Sequence, residues 1–588
     1  MKRVIALLLS LILVLGCLTA CGKKEADTNK GSQQSSSSDS SSTKKDDSSK
    51  SSDASSTGRE VYTLDIYDAA ANYQGLQTGW FQQVVKSRFD IELNIIAPQV
   101  AGSDIYQTRT ASGNLGDIVI LDATDFNDCV GQGLIKDISA EIKNQQYLME
   151  YWGPIDTLNK SITDTGAVYG IPCEMVNTSP TSYSQDVIYS SPLLRWDQYT
   201  GVGSPDIKDL DGLLDTLEAI MQKYPTNDAG DPCYPFSLWA DWDGGDGMLG
   251  IANVVQLTTW YGEKIKGSAI LKADNTFTPI TDKTASYYKI LKFLNTAYRR
   301  GLLDPDSGTQ DWNSACAKMS AGQVQLMWYS WQVGFWNSTD RINDGTAFIF
   351  IPVKDQLYYT DSDAYYGSGR IWGIGSGVTG DKYDRIMEFL NWYASPEGCQ
   401  FQHDGIEGFN YEIGSDGKYY VKNSNALMDN LPVPEEYGGA GYQDGNNQIN
   451  QWIVGSSSFN PLTGEQYATQ YWATYKESIM CDMKREWAAK FGAAEPVDYM
   501  KANNVLLVSP SVSVSLPSDT ADISVARNMC NNELCEASWR TIFKPDDASF
   551  DAEWDAMVET LNSYNFDDLY KFDVEKHTIE LNAKLAAK

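Results

Sequence analysis

The chain has 588 residues, 42% of them hydrophobic, and a formal net charge of −32. A body of this length exceeds a single hydrophobic core, so at least two lobes are expected, and so acidic a surface repels nucleic acid and anionic lipid. With only two histidines, His403 and His577, and no Cys-x-x-Cys pair among 10 cysteines, the composition argues against a histidine-based triad and a His-rich zinc site.

The first element is a leader. Lys2 and Arg3 precede an apolar run from Val4 to Leu15, which ends in Leu18-Thr19-Ala20-Cys21. The run is too short to span a bilayer comfortably and stops in small residues, so residues 1–20 read as an export signal. Cys21 at the cut resembles a bacterial lipobox. That resemblance implies a diacylated thiol anchoring the mature chain to the outer face of the cytoplasmic membrane. The alternative is an ordinary secretory signal with an incidental cysteine. Glu25 to Gly58 is nearly all Ser, Lys, Asp, Thr, Gln and Gly. It has too little apolar surface to offset its chain entropy, so residues 21–58 are expected to be a disordered tether.

Val61 to Tyr67 then reads as a strand, followed by an irregular loop with Asn72 and Tyr73. Thr78 caps a helix with Phe81, Val84, Val85 and Phe89 on one face. Ile91 to Ile95 alternates as a strand, Ser103 to Ser112 reads as a helix, and Ile118 to Leu121 is a short continuous apolar run. Such a run marks a parallel strand buried on both faces, and the alternation predicts an α/β fold with helices on both sides of a sheet.

Beyond this point a set of motifs becomes informative in combination. They are Arg109 to Val119, Gln132-Gly133-Leu134-Ile135, Tyr169-Gly170-Ile171-Pro172 and Leu194-Arg195-Trp196-Asp197. Later ones are Gly301 to Asp306, Lys318 to Gly322, Gln325 to Trp328, Ile386 to Trp392, Ser395 to Gly398 and Gly405 to Tyr411. Phe550, Trp554, Val558 and Leu561 close the series on one helical face. In this order they resemble the extracellular solute-binding proteins of ABC importers, more closely the large lipoprotein branch associated with oligosaccharide uptake. Glu412 to Ser509 matches least.

The resemblance implies a two-lobe, type II periplasmic-binding-protein-like fold with a hinge and an interlobe cleft. Hinge crossings are expected near 172–189, 324–328 and 370–375. Lobe 1 is expected over 59–175 with 324–369 returning to it. Lobe 2 is expected over 176–323, with most of 370–588 joining it. It further implies a monomer that binds a carbohydrate and delivers it to membrane permease subunits. No catalytic residue, cofactor or nucleic-acid partner is expected.

Sugars offer C–H faces that stack on rings and hydroxyl edges that pair with carboxylates and Arg. Aromatic–carboxylate loops at strand ends are therefore the candidate contacts. These are Asn72 and Tyr73; Asp122 and Asp125; Glu174; Trp239, Asp241 and Trp242; Trp328 and Trp331; Arg370 and Trp372; and Glu407 with Tyr411. Core packing is the competing role for each ring. A cationic peptide remains an alternative ligand. A lipid-anchored glycoside hydrolase or lyase, with Asp241 paired to Asp243 or Glu407, is the alternative activity. Thr226 to Asp231 lies where some relatives carry a calcium loop, but its alternating ligand pattern is broken, and a polar turn is expected. Cys530 and Cys535 either close a small disulfide loop or remain buried thiols.

Overall fold

The computed structural model describes residues 59–588 apart from 103, 245–248, 425 and 428. The expected signal, Cys21 and the tether lie outside the described residues. The chain opens with β1 (Tyr62–Asp68), β2 (Gly75–Leu76), α1 (Gly79–Phe89) and β3 (Ile91–Ile96). Next come α2 (Asp104–Ala111), β4 (Ile118–Asp122), α3 (Ala123–Gly131) and β5 (Gly170–Pro172). The second body begins with β6 (Ser190–Arg195), then α4 (Leu210–Lys223), α5 (Ser286–Arg299), α6 (Trp312–Ser320), β7 (Leu326–Tyr329) and β8 (Phe348–Phe350). β9 (Tyr358–Asp361) leads back to β10 (Arg370–Ile374) and α7 (Asp381–Tyr393). β11 (Leu506–Ser509) and three long helices, α8 (Ala521–Ile542), α9 (Asp547–Ser563) and α10 (Phe566–Ala586), complete the chain.

Lobe 1 is built on a six-stranded sheet, ordered β2-β3-β1-β4-β10-β5. β1 runs parallel to β3 and β4, whereas β10 is antiparallel to β4 and β5. Successive side chains of a strand face opposite sides, and here both sides are buried. Ile118 and Ile120 join one core, Val119 and Leu121 the other. The continuous apolar run is therefore what a doubly covered strand requires. Lobe 2 holds a three-stranded antiparallel sheet, β7-β6-β8, inside a larger helical core. In α9, Phe550, Trp554 and Leu561 are buried, with Trp554 edge-on to Tyr288 of α5 at 4.9 Å.

Among the described residues the chain passes between the two cores three times. It leaves the first core at Met175 and enters the second at Tyr183. It returns between Tyr358 and Ile371, and crosses again between Trp472 and Cys481. The second passage arrives immediately before Arg370. The crossing expected at Val324–Trp328 is corrected. β7 lies inside lobe 2, paired with β6, because a short apolar segment bounded by Gly looks alike as a hinge or as a core strand.

Two lobe assignments change for the same reason. Residues 324–353 belong to lobe 2 rather than returning to lobe 1. Of 370–588, the part up to Trp472 joins lobe 1 or its satellite cluster, and only the part from Cys481 joins lobe 2. The weakly matching stretch is thus divided between the lobes. Its first part is tied closely to α1: the Trp80 indole N–H donates to the Tyr442 carbonyl at 3.0 Å, and the two rings stack at 5.2 Å. A Cβ on Gly79 would sit 2.2 Å from the Gly445 Cα, so both positions must be glycine for this approach.

At the hinge, β9 pairs in parallel with β11, Asp361 opposite Ser509. Buried Asp363 ties the crossings together. It accepts from the Ser184 hydroxyl at 2.8 Å and the Ser184 N–H at 3.2 Å, while its own N–H donates to the Ser182 carbonyl at 2.8 Å. Burial raises its carboxyl above the ordinary range. No helix among the described residues is long and apolar enough to cross a membrane.

Candidate functional site

The parallel strands β1 and β4 end together, and open α/β sheets place their sites at such carboxyl ends. Asp122 closes β4 opposite Arg370, the first residue of β10, and the Arg370 Nε lies 3.1 Å from the Asp122 Oδ1. Asp125, exposed in the first turn of α3, is raised by partial desolvation and then by Asp122 and Asp128. At the end of β1, fully buried Asp68 accepts the N–H groups of Ala70 at 2.9 Å and Asn450 at 3.1 Å. Burial pushes its carboxyl up to about 6, against those hydrogen bonds and the Arg370 charge. Asn72 is exposed on the following loop; half-buried Tyr73 donates its hydroxyl to the Leu76 carbonyl at 2.6 Å. Glu174, at the start of the first crossing, adopts a left-handed φ of 58° and donates its N–H to the Trp452 carbonyl at 2.8 Å.

Lobe 2 presents a layered aromatic cluster. Trp239 stands at its centre with no exposed surface. Its ring is parallel to Trp328 at 5.6 Å, tilted against Trp312 at 4.7 Å and edge-on to Trp242 at 5.1 Å. Trp242 lies 4.6 Å from Trp312 and 6.0 Å from Trp331, and Trp331 stacks on Tyr329 at 4.9 Å. Trp239, Trp312, Trp328 and Tyr329 are buried, whereas Trp242 and Trp331 are half-buried and Tyr189 is 55% exposed at the front of Tyr329. Tyr189 follows the first crossing and Arg370 the second, so the aromatic wall and the Asp122–Arg370 wall both adjoin the hinge.

The turn bearing Trp242 is pinned on both sides. Asp241 accepts the Trp312 backbone N–H at 3.0 Å. Asp243 accepts the Ala252 N–H at 2.9 Å and the Trp539 indole N–H at 2.7 Å. Desolvation raises Asp241, and burial pushes Asp243 up to about 7. Asp243 thus has both oxygens committed to holding the turn, which leaves the Asp241–Asp243 pair unlike a hydrolytic pair across a cleft.

The remaining sequence-derived residues are not brought to these walls. Trp372 is fully buried in the lobe 1 core, 5.3 Å from Tyr393, because β10 is covered on both faces. Tyr411 is buried in a satellite cluster with Tyr419 at 5.2 Å and Trp472 at 5.7 Å; Glu407, bridged to it through the backbone, is exposed. Sequence reasoning missed Trp312, Tyr189 and Asp68. Tyr189 could have been found from its place just past the first crossing, and Asp68 from ending β1. Trp312 carried no signal beyond following the helix cap Asp311.

Thr226 to Asp231 forms a turn closed by its own side chain: Asn227 Oδ1 accepts the N–H groups of Ala229 at 3.0 Å and Asp231 at 2.8 Å. Among the described residues no group of three or more His, Cys, Asp or Glu could hold a metal ion. Cys530 and Cys535 are free thiols on α8 and form no disulfide.

Two bodies joined by crossing segments are the two-lobe architecture of a solute-binding protein. The chain belongs to the bacterial extracellular solute-binding protein family, whose pattern matches residues 74–398. No curated protein matches it. Its fold is similar to the Streptococcus pneumoniae ABC-transporter substrate-binding protein FusA in complex with kestose, at 15% identity, TM-score 0.59, covering 90% of this chain and 100% of that one. It is similar to an HMO-binding, ABC-transporter-associated solute-binding protein from Bifidobacterium longum infantis, at 13% identity, TM-score 0.57, covering 90% and 100%. The alginate-binding protein AlgQ2 without calcium ion shares the fold at 14% identity and TM-score 0.53, covering 88% and 98%.

Proposed function

We propose that this protein captures an oligosaccharide between its lobes and delivers it to the membrane permease of an ABC importer. What supports this reading is that each lobe carries sugar-compatible groups next to a crossing segment. Half-buried rings (Trp242, Trp331) and exposed Tyr189 offer stacking faces. Asp122 and Arg370 offer charged hydrogen-bonding edges. Sugars need both surfaces at once. Three relatives by fold are described with kestose, as HMO-binding and as alginate-binding, which supports the same solute class. The order of leader, Cys21 and polar tether in the sequence supports a lipid-anchored, extracellular location.

Closure follows from differential binding: a solute touching both walls stabilises the closed arrangement by its extra contacts there. The test is a thermal-shift panel on residues 59–588, with oligosaccharides in one arm and peptides and polyamines in another. A ligand that binds only the native state raises Tm by mass action, about 2.7 kcal/mol of stabilisation at a hundredfold excess over Kd. A shift with one glycan class is expected. A shift confined to peptides or polyamines would overturn the sugar reading, and release of cleaved glycan would overturn the absence of catalysis.

A further inference from the structure

The aromatic cluster carries a second, hidden set of polar groups. The indole N–H groups of Trp239, Trp312 and Trp328 are buried and unpartnered. Beside them, buried Gln310 and Asn253 each have an unpartnered side-chain oxygen. Their amide nitrogens are engaged along one backbone stretch: Gln310 donates to the Leu238 carbonyl at 2.6 Å, and Asn253 to the Trp239 carbonyl at 2.7 Å. Buried polar groups in folded proteins are nearly always paired, because each orphan forfeits its hydration without return. Three donors and two acceptors concentrated around one ring cluster therefore call for a reason.

We infer that this inner layer is a deep sugar subsite: a neutral pyranose or furanose ring displaces the outer side chains of Trp242 and Trp331 and is bound against the inner rings, with the Trp239, Trp312 and Trp328 indole N–H groups and the Gln310 and Asn253 amide oxygens supplying hydrogen bonds. The inference rests on the carbohydrate reading above. The mixture of orphans selects the ligand class. A hydroxyl both donates and accepts, so a polyol satisfies both kinds; an ammonium offers donors alone and a carboxylate acceptors alone. The inner indole faces also provide the stacking surface that a sugar ring requires.

Uncovering the layer needs side-chain rotation only. The Trp242 turn is fixed through Asp241 to Trp312 and through Asp243 to Ala252 and Trp539. The backbone stays in place, and a half-buried ring changes rotamer on a fast timescale. Trp312, Gln310 and Asn253 thus become recognition residues that a surface view of the cleft does not reach.

The experiment is NMR of the protein with 15N-labelled tryptophan, with indole resonances assigned by single Trp→Phe variants. Kestose, maltotetraose, xylotetraose and lacto-N-tetraose are the probes, and spermidine is the cationic control. With the sugar that binds, the Trp239, Trp312 and Trp328 indole N–H resonances are expected to move as new hydrogen bonds form. Trp312→Phe, which keeps a ring and removes one donor, is expected to weaken that sugar by about fivefold. Movement of Trp242 and Trp331 alone would place the sugar on the outer layer, overturning the deep subsite while leaving the proposed function intact. A response to spermidine alone would overturn both, and silence toward every probe would count against both. Native-protein NMR decides the matter even where a variant fails to fold.

Discussion

At the scale of the residue, exposure separates rings that look equal in sequence. Trp239 and Trp242 flank the same aspartate, yet one is fully buried and the other half-buried. Trp239→Ala is expected to cost about 3–5 kcal/mol of stability, as large core truncations do, measured by urea unfolding. Trp242→Ala should instead weaken glycan binding about tenfold by titration calorimetry, with a much smaller loss of stability. Equal destabilisation by the two changes would contradict the layered arrangement. Asp243 sets a pH dependence. Its carboxyl holds a proton up to about 7 in the fold, against 3.8 when free. Between those values the folded chain binds more protons than the unfolded one, so this group's contribution falls as pH rises through the window and levels off above about 7. Through this group melting temperature is expected to rise on acidification from pH 7.5 to 6, and Asp243→Asn should make that rise smaller, the remainder coming from buried carboxyls such as Asp68, pushed up to about 6. Half-buried His403 acts the other way: desolvation lowers its pKa to about 4, so its contribution is present above about 6.5 and is lost as pH falls toward 4.

At the scale of the element, the sequence was most readable where local physics was decisive. β1, α1, β3, α2 and β4 form where the alternation and apolar faces predict, because a doubly covered parallel strand and an amphipathic helix each leave a periodic trace. The hinge was only partly readable. β7 reads as a crossing in the sequence but pairs with β6 inside lobe 2, and the passage after Trp472 carried no recognisable signal. Irregular polar segments such as Ser179 to Ser184, which opens with a turn closed by the Ser182 N–H on the Ser179 carbonyl, acquire their role only when Asp363 and Ser362 arrive from distant sequence. Asp363→Ala would leave the Ser184 N–H without its carboxylate, and a loss of about 1–3 kcal/mol is expected. The informative readout is hydrogen exchange at residues 176–186. Faster exchange confined to the crossings would mark a hinge tie, whereas uniform loosening would mark ordinary core damage.

At the scale of the whole molecule, the two walls matter only in relation to each other. Small-angle scattering of residues 59–588 is expected to show a smaller radius of gyration with a bound glycan than without it, as rigid lobes close about the crossings. An unchanged radius with saturating sugar would mean that one lobe binds alone and would remove the closure step.

By itself the sequence determined the leader and tether pattern, the α/β class, the need for two cores and the family, since these rest on composition, periodicity and ordered local motifs. It also singled out loops rich in Trp and Asp as candidates for the proposed site. Only the tertiary structure decided which lobe owns 324–353 and 370–472, which tryptophans face outward, and that Trp312, Gln310 and Asn253 converge on Trp239. The reason is physical. Periodicity reports whether a side chain is buried against something, whereas ring contacts and unpaired polar atoms depend on which distant segments meet, and that is fixed only when the core closes.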